Sequence, residues 1–366
     1  MTRSSGPSSD PSVDLPVPGP RSPTDKVRRQ LLDATEASGK TYEFNNRHDR
    51  RLPIAHWFQG STEGLVLFMV YYTLACRWSS CTGCNLPSTS STDLVPFSEV
   101  IVQIDSIFSD REVLARKPDI RKVIVSNNGS VLDEDTFPTT ALLHLLVRIN
   151  QELPDLAVLS LESRAEHVDI EELEFLARVM RERPKPAQIE LAIGFEAFDD
   201  ELRNQVFKKG LSLHTFEQLV DRISRPGFRL KCYFMQKPVV TMSDDDAVDD
   251  IRRGIDYLDA VAKRSGICIN MHLNPTFVAH GTALDKAFAG GGYSPPLLGD
   301  VVRAVLHGRG KSVSIFVGLY DEGLAMPGGS FLRPGDEPIV SALEAFNRSQ
   351  DYTALQSFYD TLTPTA

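Results

Sequence analysis

The sequence predicts an α/β fold, a barrel of parallel strands ringed by helices. Three observations lead there. Short β-rich runs alternate with helical segments along most of the 366 residues, the order that parallel strands joined by crossover helices require. The strands carry one apolar and one polar face, whereas a sheet covered by helices on both sides would show continuous apolar runs. The polar residues also gather toward the C-terminal ends of the strands, where barrel enzymes place their chemistry.

Residues 1–24 are dominated by Ser, Pro and Gly. They bury too little apolar surface to offset the entropy of ordering and are expected to form a disordered tail. Residues 25–60 read as an N-terminal helical extension, a polar helix followed by a loop. The barrel is expected over 61–320, with strands at 64–74, 122–127, 156–163, 188–196, 228–236, 267–274 and 312–319. In "ICINMHLN", Ile267, Ile269, Met271 and Leu273 form one face, and Cys268, Asn270, His272 and Asn274 the other. Between strands, Ile170, Leu173, Leu176 and Met180 recur at helical spacing before Pro184 stops the run. Residues 321–366 read as a helical C-terminal extension with apolar faces on Ile339, Leu343 and Phe346 and on Tyr352, Leu355, Phe358 and Leu362.

Charge and composition narrow the function. A net charge of −10 opposes non-specific attraction to phosphate backbones, so a nucleic-acid substrate would need a local basic patch. No apolar run approaches the roughly 18–20 residues of a membrane span, and the N-terminus lacks the apolar segment of a secretory signal. A cytoplasmic protein with no membrane partner is expected. Its five cysteines are an odd number in a chain without an export signal, which favours metal or redox chemistry over disulfides.

Three of those cysteines, Cys76, Cys81 and Cys84, lie within nine residues as C-x4-C-x2-C. Thiolates at this density bind soft metals. A structural zinc site needs four ligands, and Cys232 and Cys268 sit inside strands, leaving His56 as a fourth donor. That reading gives a non-catalytic zinc or iron–sulfur protein. The other reading is a 4Fe-4S cluster on three thiolates, its remaining iron free for an exogenous ligand. The wall of Lys231, Tyr233, Lys237, Asn270, His272 and Asn274 is then the place to seek substrate. "SDDDAVDD" (243–250) is ordinary helix capping, "GGG" (290–292) a loop without the Lys-Ser/Thr of a phosphate cradle, and Asp321 and Glu322 either substrate contacts or solvated rim.

The cysteine triad after the first strand resembles the radical S-adenosylmethionine (SAM) superfamily, and further segments extend the likeness from about Leu65 to Leu319. "SNNGS" (126–130) is similar to the superfamily's methionyl-binding loop. "LESRAEHV" (161–168) and "IGFEAFDDELRNQVFKKG" (193–210) are similar to segments of the branch containing the elongator catalytic subunit. "LNPTFVAHGTALDKAF" followed by "YSPP" looks most like the archaeosine-synthesis radical SAM enzymes, which act on a guanine-like base in tRNA. The resemblance implies a partial (β/α)6 TIM-type barrel holding a 4Fe-4S cluster on Cys76, Cys81 and Cys84, which are also the catalytic set. It implies SAM held by Ser126, Asn127, Asn128, Gly129, Glu162, Arg164, Glu196, Lys209 and Asn274, with Glu196 near the ribose and Lys209 near the carboxylate. Substrate would meet Lys231, Tyr233, Asn270 and His272. A reductant protein such as a ferredoxin or flavodoxin is implied as partner, with a tRNA or a small molecule as substrate. Two departures stand out: one extra residue in the first cysteine gap, and Gly83 where the superfamily usually carries an aromatic residue against adenine, a role left to Trp78 or another aromatic.

Overall fold

A computed structural model describes residues 23–362. The expected tail lies outside the described residues except for its last two positions, which open helix α1 (Pro23–Ala37). The chain then enters a hairpin of β1 (Ala55–Ser61) and β2 (Gly64–Val70), paired antiparallel. Strands β3 (Ile120–Ser126), β4 (Val158–Ser163), β5 (Gln188–Glu196), β6 (Arg229–Gln236), β7 (Ile269–Pro275) and β8 (Ser314–Val317) follow, all parallel, in the sheet order β1 to β8. The crossovers are α2 (Phe97–Phe108) with α3 (Arg111–Arg116), α4 (Thr139–Glu152), α5 (Ile170–Arg181), α6 (Leu213–Ser224), α7 (Asp244–Ser265), and α8 (Ala283–Ala289) with α9 (Leu298–Val305). Six strand–helix units and a seventh parallel strand make the expected partial barrel. Helices α10 (Glu337–Ser349) and α11 (Tyr352–Leu362) complete it.

Strand β1 corrects the reading of 25–60 as helix and loop. Every residue of β1 is half-buried, so its sequence carries no alternation to betray a strand. The other strands behave as their patterns predict. Val123, Leu159, Ile189, Leu191, Leu230 and Met271 point outward into one continuous core with the crossover helices, each such fully buried aliphatic side chain stabilising by roughly 1.5–3 kcal/mol. Helix α7 has a complete capping box from Ser243 and Asp246, in line with the capping reading of 243–250.

The lumen is layered. Near the N-terminal ends of the strands, Lys122 pairs with Glu190 at 2.8 Å, Arg229 pairs with Glu63 and approaches Glu190 at 3.6 Å, and Lys231 donates to Asn270 Oδ1 at 2.6 Å. Only about 20 Å³ of space remains there, room for about one water. Burial opposes ionisation of Glu63, but Lys122 and Arg229 outweigh it and hold its carboxyl at about 2. This ionic plug closes the N-terminal end of the barrel and leaves the C-terminal end for a cavity.

The sheet stays open between β1 and β8. Asn347 of α10 takes the place of a ninth strand: its Oδ1 accepts from Val317 N and its Nδ2 donates to Val317 O, both at 2.8 Å. Gln350 does the same for Ile315 at 2.9 and 2.6 Å. Side-chain amides thus cover an edge that would otherwise invite pairing with another chain. Asn347→Leu leaves the Val317 N–H and C=O buried without partners and is expected to cost about 1–3 kcal/mol for each group. Urea unfolding measures this, and a loss below about 0.5 kcal/mol would contradict the edge-capping role.

Candidate active site

At the C-terminal ends of the strands lies a cavity of about 260 Å³. The loop after β2 brings Cys76, Cys81 and Cys84 to it, and all three line its wall. Several contacts fix that loop. Lys40 donates to Ser79 O at 2.6 Å and to Cys81 O at 3.4 Å. Arg77 forks onto Asp133 with two bonds of 2.7 Å, and Thr82 N donates to Phe207 O at 2.9 Å. Within the first gap the chain takes a left-handed turn at Ser79 (φ 40°), whose hydroxyl donates to Cys76 O at 2.6 Å. Burial pushes the Cys81 thiol up, and burial with the neighbouring Cys81 pushes Cys84 up to about 12. Metal binding must therefore displace protons.

Most of the sequence-predicted residues converge on this cavity: Ser126, Asn128, Gly129, Glu162, Arg164, Glu196, Lys209, Tyr233, His272 and Asn274 all line it. Asn128 takes a left-handed backbone (φ 56°) and donates to Thr89 Oγ1 at 2.8 Å. A Cβ at residue 129 would sit 3.2 Å from Cys76 Cα, so Gly129 lets the "SNNGS" loop press against the first cysteine. Lys209 pairs with Glu196 at 2.7 Å. Burial works against the charge of Lys209, but Glu196 and Cys81 outweigh it and hold its ammonium above the usual range. Arg164 stacks 4.3 Å over the Trp78 ring and donates to Lys209 O at 3.0 Å. Tyr233 donates its hydroxyl to Glu162 at 2.5 Å, and burial raises the Glu162 carboxyl above its ordinary value.

Six of the residues named from the sequence lie away from the cavity lining. Asn127 is fully buried and donates to Thr73 and Thr136 hydroxyls at 3.1 and 3.3 Å, tying two loops together behind the cavity wall. Lys231 and Asn270 belong to the N-terminal plug, bonded to each other. They share a face with Tyr233 and His272, but two residues along a strand are about 6.6 Å apart, so face alone does not fix depth. Lys237 turns away on a left-handed backbone to pair with Asp244 at 2.7 Å. Trp78 is not among the cavity-lining residues; its indole N–H donates to Lys208 O at 2.9 Å. His56 faces Asp110 at 3.6 Å, so no fourth donor comes from it.

Phe207 is the aromatic that sequence reading missed. A Cβ on Gly83 would meet its ring at 3.0 Å, so the glycine before the last cysteine makes room for an aromatic side chain delivered from the segment after β5. Lys40 was missed for a simpler reason: a lone lysine after a polar helix carries no signal. The aromatic panel of Trp57, Phe68 and Tyr320 was missed with β1. Trp57 stacks on Phe68 at 4.2 Å and meets Tyr320 edge-on at 5.3 Å, lining the cavity on its open side.

Three thiols make a soft donor set. Three thiols from one loop share the cavity, while among the described residues no three His, Cys, Asp or Glu side chains are grouped to hold one metal ion. Thiolates are soft donors, suited to zinc or to an iron–sulfur cluster.

The fold is a partial barrel, seven parallel strands in sequence order with an antiparallel edge strand and an unclosed seam. No family model matches the chain. It is distantly similar to archaeosine synthase subunit beta of Thermococcus kodakarensis, 23% identical over 307 residues covering 80% of this chain and 88% of that one. It is also similar to an uncharacterized protein of Methanocaldococcus jannaschii, 21% identical over 319 residues and 84% of each chain. Among solved structures, methylornithine synthase aligns over 90% of this chain and 92% of its own, at 12% identity and a TM-score of 0.42. Elp3 of Methanocaldococcus infernus aligns over 60% of this chain and 51% of its own, at 12% identity and a TM-score of 0.42. No helix among the described residues is long and apolar enough to cross a membrane.

Lys40→Met removes the two bonds that brace the cysteine loop and is expected to cost about 1–3 kcal/mol. Iodoacetamide should then alkylate Cys81 several-fold faster in metal-free protein; an unchanged rate would show that the loop does not depend on Lys40.

Proposed function

We propose that the chain is a radical SAM enzyme acting on a nucleobase-like or tRNA-linked heterocycle. The observation that carries this reading is the placement of three cysteines from one loop on one wall of a cavity whose other walls are the polar strand ends. Cys76, Cys81 and Cys84 would hold a 4Fe-4S cluster. When bound, cluster and SAM together supply one-electron cleavage of a sulfonium carbon–sulfur bond, and so a carbon radical able to abstract hydrogen.

The chain's own residues bind and orient. The Ser126–Gly129 turn offers backbone groups to the methionyl end of SAM beside Cys76. Lys209 and Glu196 offer one cation and one hydrogen-bond acceptor, suited to a carboxylate and a ribose. Phe207 presents a ring beside the last cysteine. Arg164, fixed by Trp78 and Glu166, holds the Lys209 carbonyl and with it the turn carrying that lysine. The ionic plug keeps bulk water from entering the lumen at its N-terminal end, and a reactive radical needs water excluded. An electron would arrive from a small reductant protein such as a ferredoxin or flavodoxin.

For the substrate, the aromatic panel of Trp57, Phe68 and Tyr320 offers faces on which a flat heterocycle stacks, and the similarity to archaeosine synthase subunit beta points the same way. A small-molecule substrate is the second reading, favoured by the net charge of −10, which repels polyanions.

Anaerobic reconstitution with iron and sulfide, followed by reductant and SAM, tests the reading. Blue-edge visible absorption and 5′-deoxyadenosine are expected from the wild type, and neither from Cys81→Ala. Stoichiometric zinc with intact SAM would refute it.

A further inference from the structure

The cysteine side of the cavity is rich in committed cations. Lys40 is bound to the loop carbonyls, Lys209 to Glu196, and Arg164 to Glu166. The wall built by β4, β6, β7 and the segment after β8 has the opposite character. Glu162 and Glu322 both line it. Glu162 accepts from Tyr233, whereas Glu322 has neither hydrogen bond nor ion pair among the described residues, although its backbone is held left-handed (φ 55°). His272, only 5% exposed, lines the same wall with Nδ1 buried and unpartnered, and the Asn274 amide beside it is likewise without a hydrogen bond. Gly318 makes this arrangement sterically feasible: a Cβ there would fall 2.2 Å from Asn274 Oδ1 and 3.1 Å from His272 Nε2.

We propose that this wall of Glu322 and His272, together with Glu162 and Asn274, which the resemblance had given to SAM, receives a protonated nitrogen of the substrate. Two carboxyls, an amide and an imidazole offer a surplus of acceptors. An anion would be repelled there, and a cationic N–H would pair with the Glu322 carboxylate, which has no partner among the described residues. Burial and the nearby Glu162 push the Glu322 carboxyl up to about 7, as expected of an acid awaiting a cation. Burial, reinforced by Lys231, keeps His272 well below its usual range and therefore neutral, with one ring nitrogen able to accept. The rings of Phe316 and Tyr233, 4.7 and 4.8 Å from His272, limit the carrier of that nitrogen to a slim or flat group.

The inference deepens the proposed function and rests on its reading of the cavity as a shared cofactor and substrate site. Because SAM also carries an ammonium group, the test separates the two sources. Binding of benzylamine and of its neutral isostere benzyl alcohol to the reconstituted protein is measured by calorimetry, alongside binding of SAM. Benzylamine should bind the wild type at least about tenfold more tightly than the alcohol, as expected for a charged hydrogen bond. Glu322→Gln should erase that preference while SAM affinity stays within about twofold, and Glu322→Asp, which retains the charge, should keep it. Equal binding of the two probes, a preference that survives in Glu322→Gln, or a parallel loss of SAM binding would each overturn the proposal. A wild type that prefers benzylamine through Glu322 yet does not bind SAM would uphold the acidic wall and defeat the SAM reading alone.

Discussion

Three thiols on one short loop must be held at the mouth of the barrel, all facing one cavity, and much of the surrounding structure serves that requirement. A loop of this kind has no ladder of its own to fix it. Its carbonyls are instead held by the Lys40 ammonium, its first cysteine lies against Gly129, and its last turn is bonded to the backbone at Phe207. Each brace comes from a different part of the chain, so the cysteine wall forms only when the segment after α1, the loop after β3 and the segment after β5 are all in place. The unclosed seam between β1 and β8, stopped by the amides of Asn347 and Gln350, leaves one side of the cavity open to an aromatic panel.

The lumen divides its charge by depth. Paired ions fill the N-terminal layer, where the Lys122–Glu190 bridge is almost entirely removed from solvent. Buried pairs of this kind add little net stability, since desolvation consumes most of the Coulombic gain. Their effect here is to occupy space and exclude water. Above them the Tyr233, His272 and Phe316 rings form a second layer, and above that the strand ends present cations on the cysteine side and acids on the other. An asymmetric cavity of this sort orients a ligand that carries both signs.

The sequence carried the strand–helix order, the lumen-facing alternation and the cysteine triad, because each is a local pattern. It did not carry depth: Lys231 and Tyr233 look equivalent by face, yet one belongs to the plug and the other to the cavity. Nor did it reveal β1, half-buried along its whole length, or Lys40 and Phe207, whose roles arise from contacts between segments far apart in the chain. Gly83 seemed a lost aromatic position; it makes room for an aromatic from elsewhere.

Mössbauer spectroscopy of protein reconstituted with iron-57, recorded with and without SAM, addresses the central claim most directly. If three thiolates leave one iron of a 4Fe-4S cluster without a protein ligand, SAM should shift the signal of about a quarter of the iron and leave the rest unchanged. A spectrum in which all iron sites are equivalent and indifferent to SAM would contradict it.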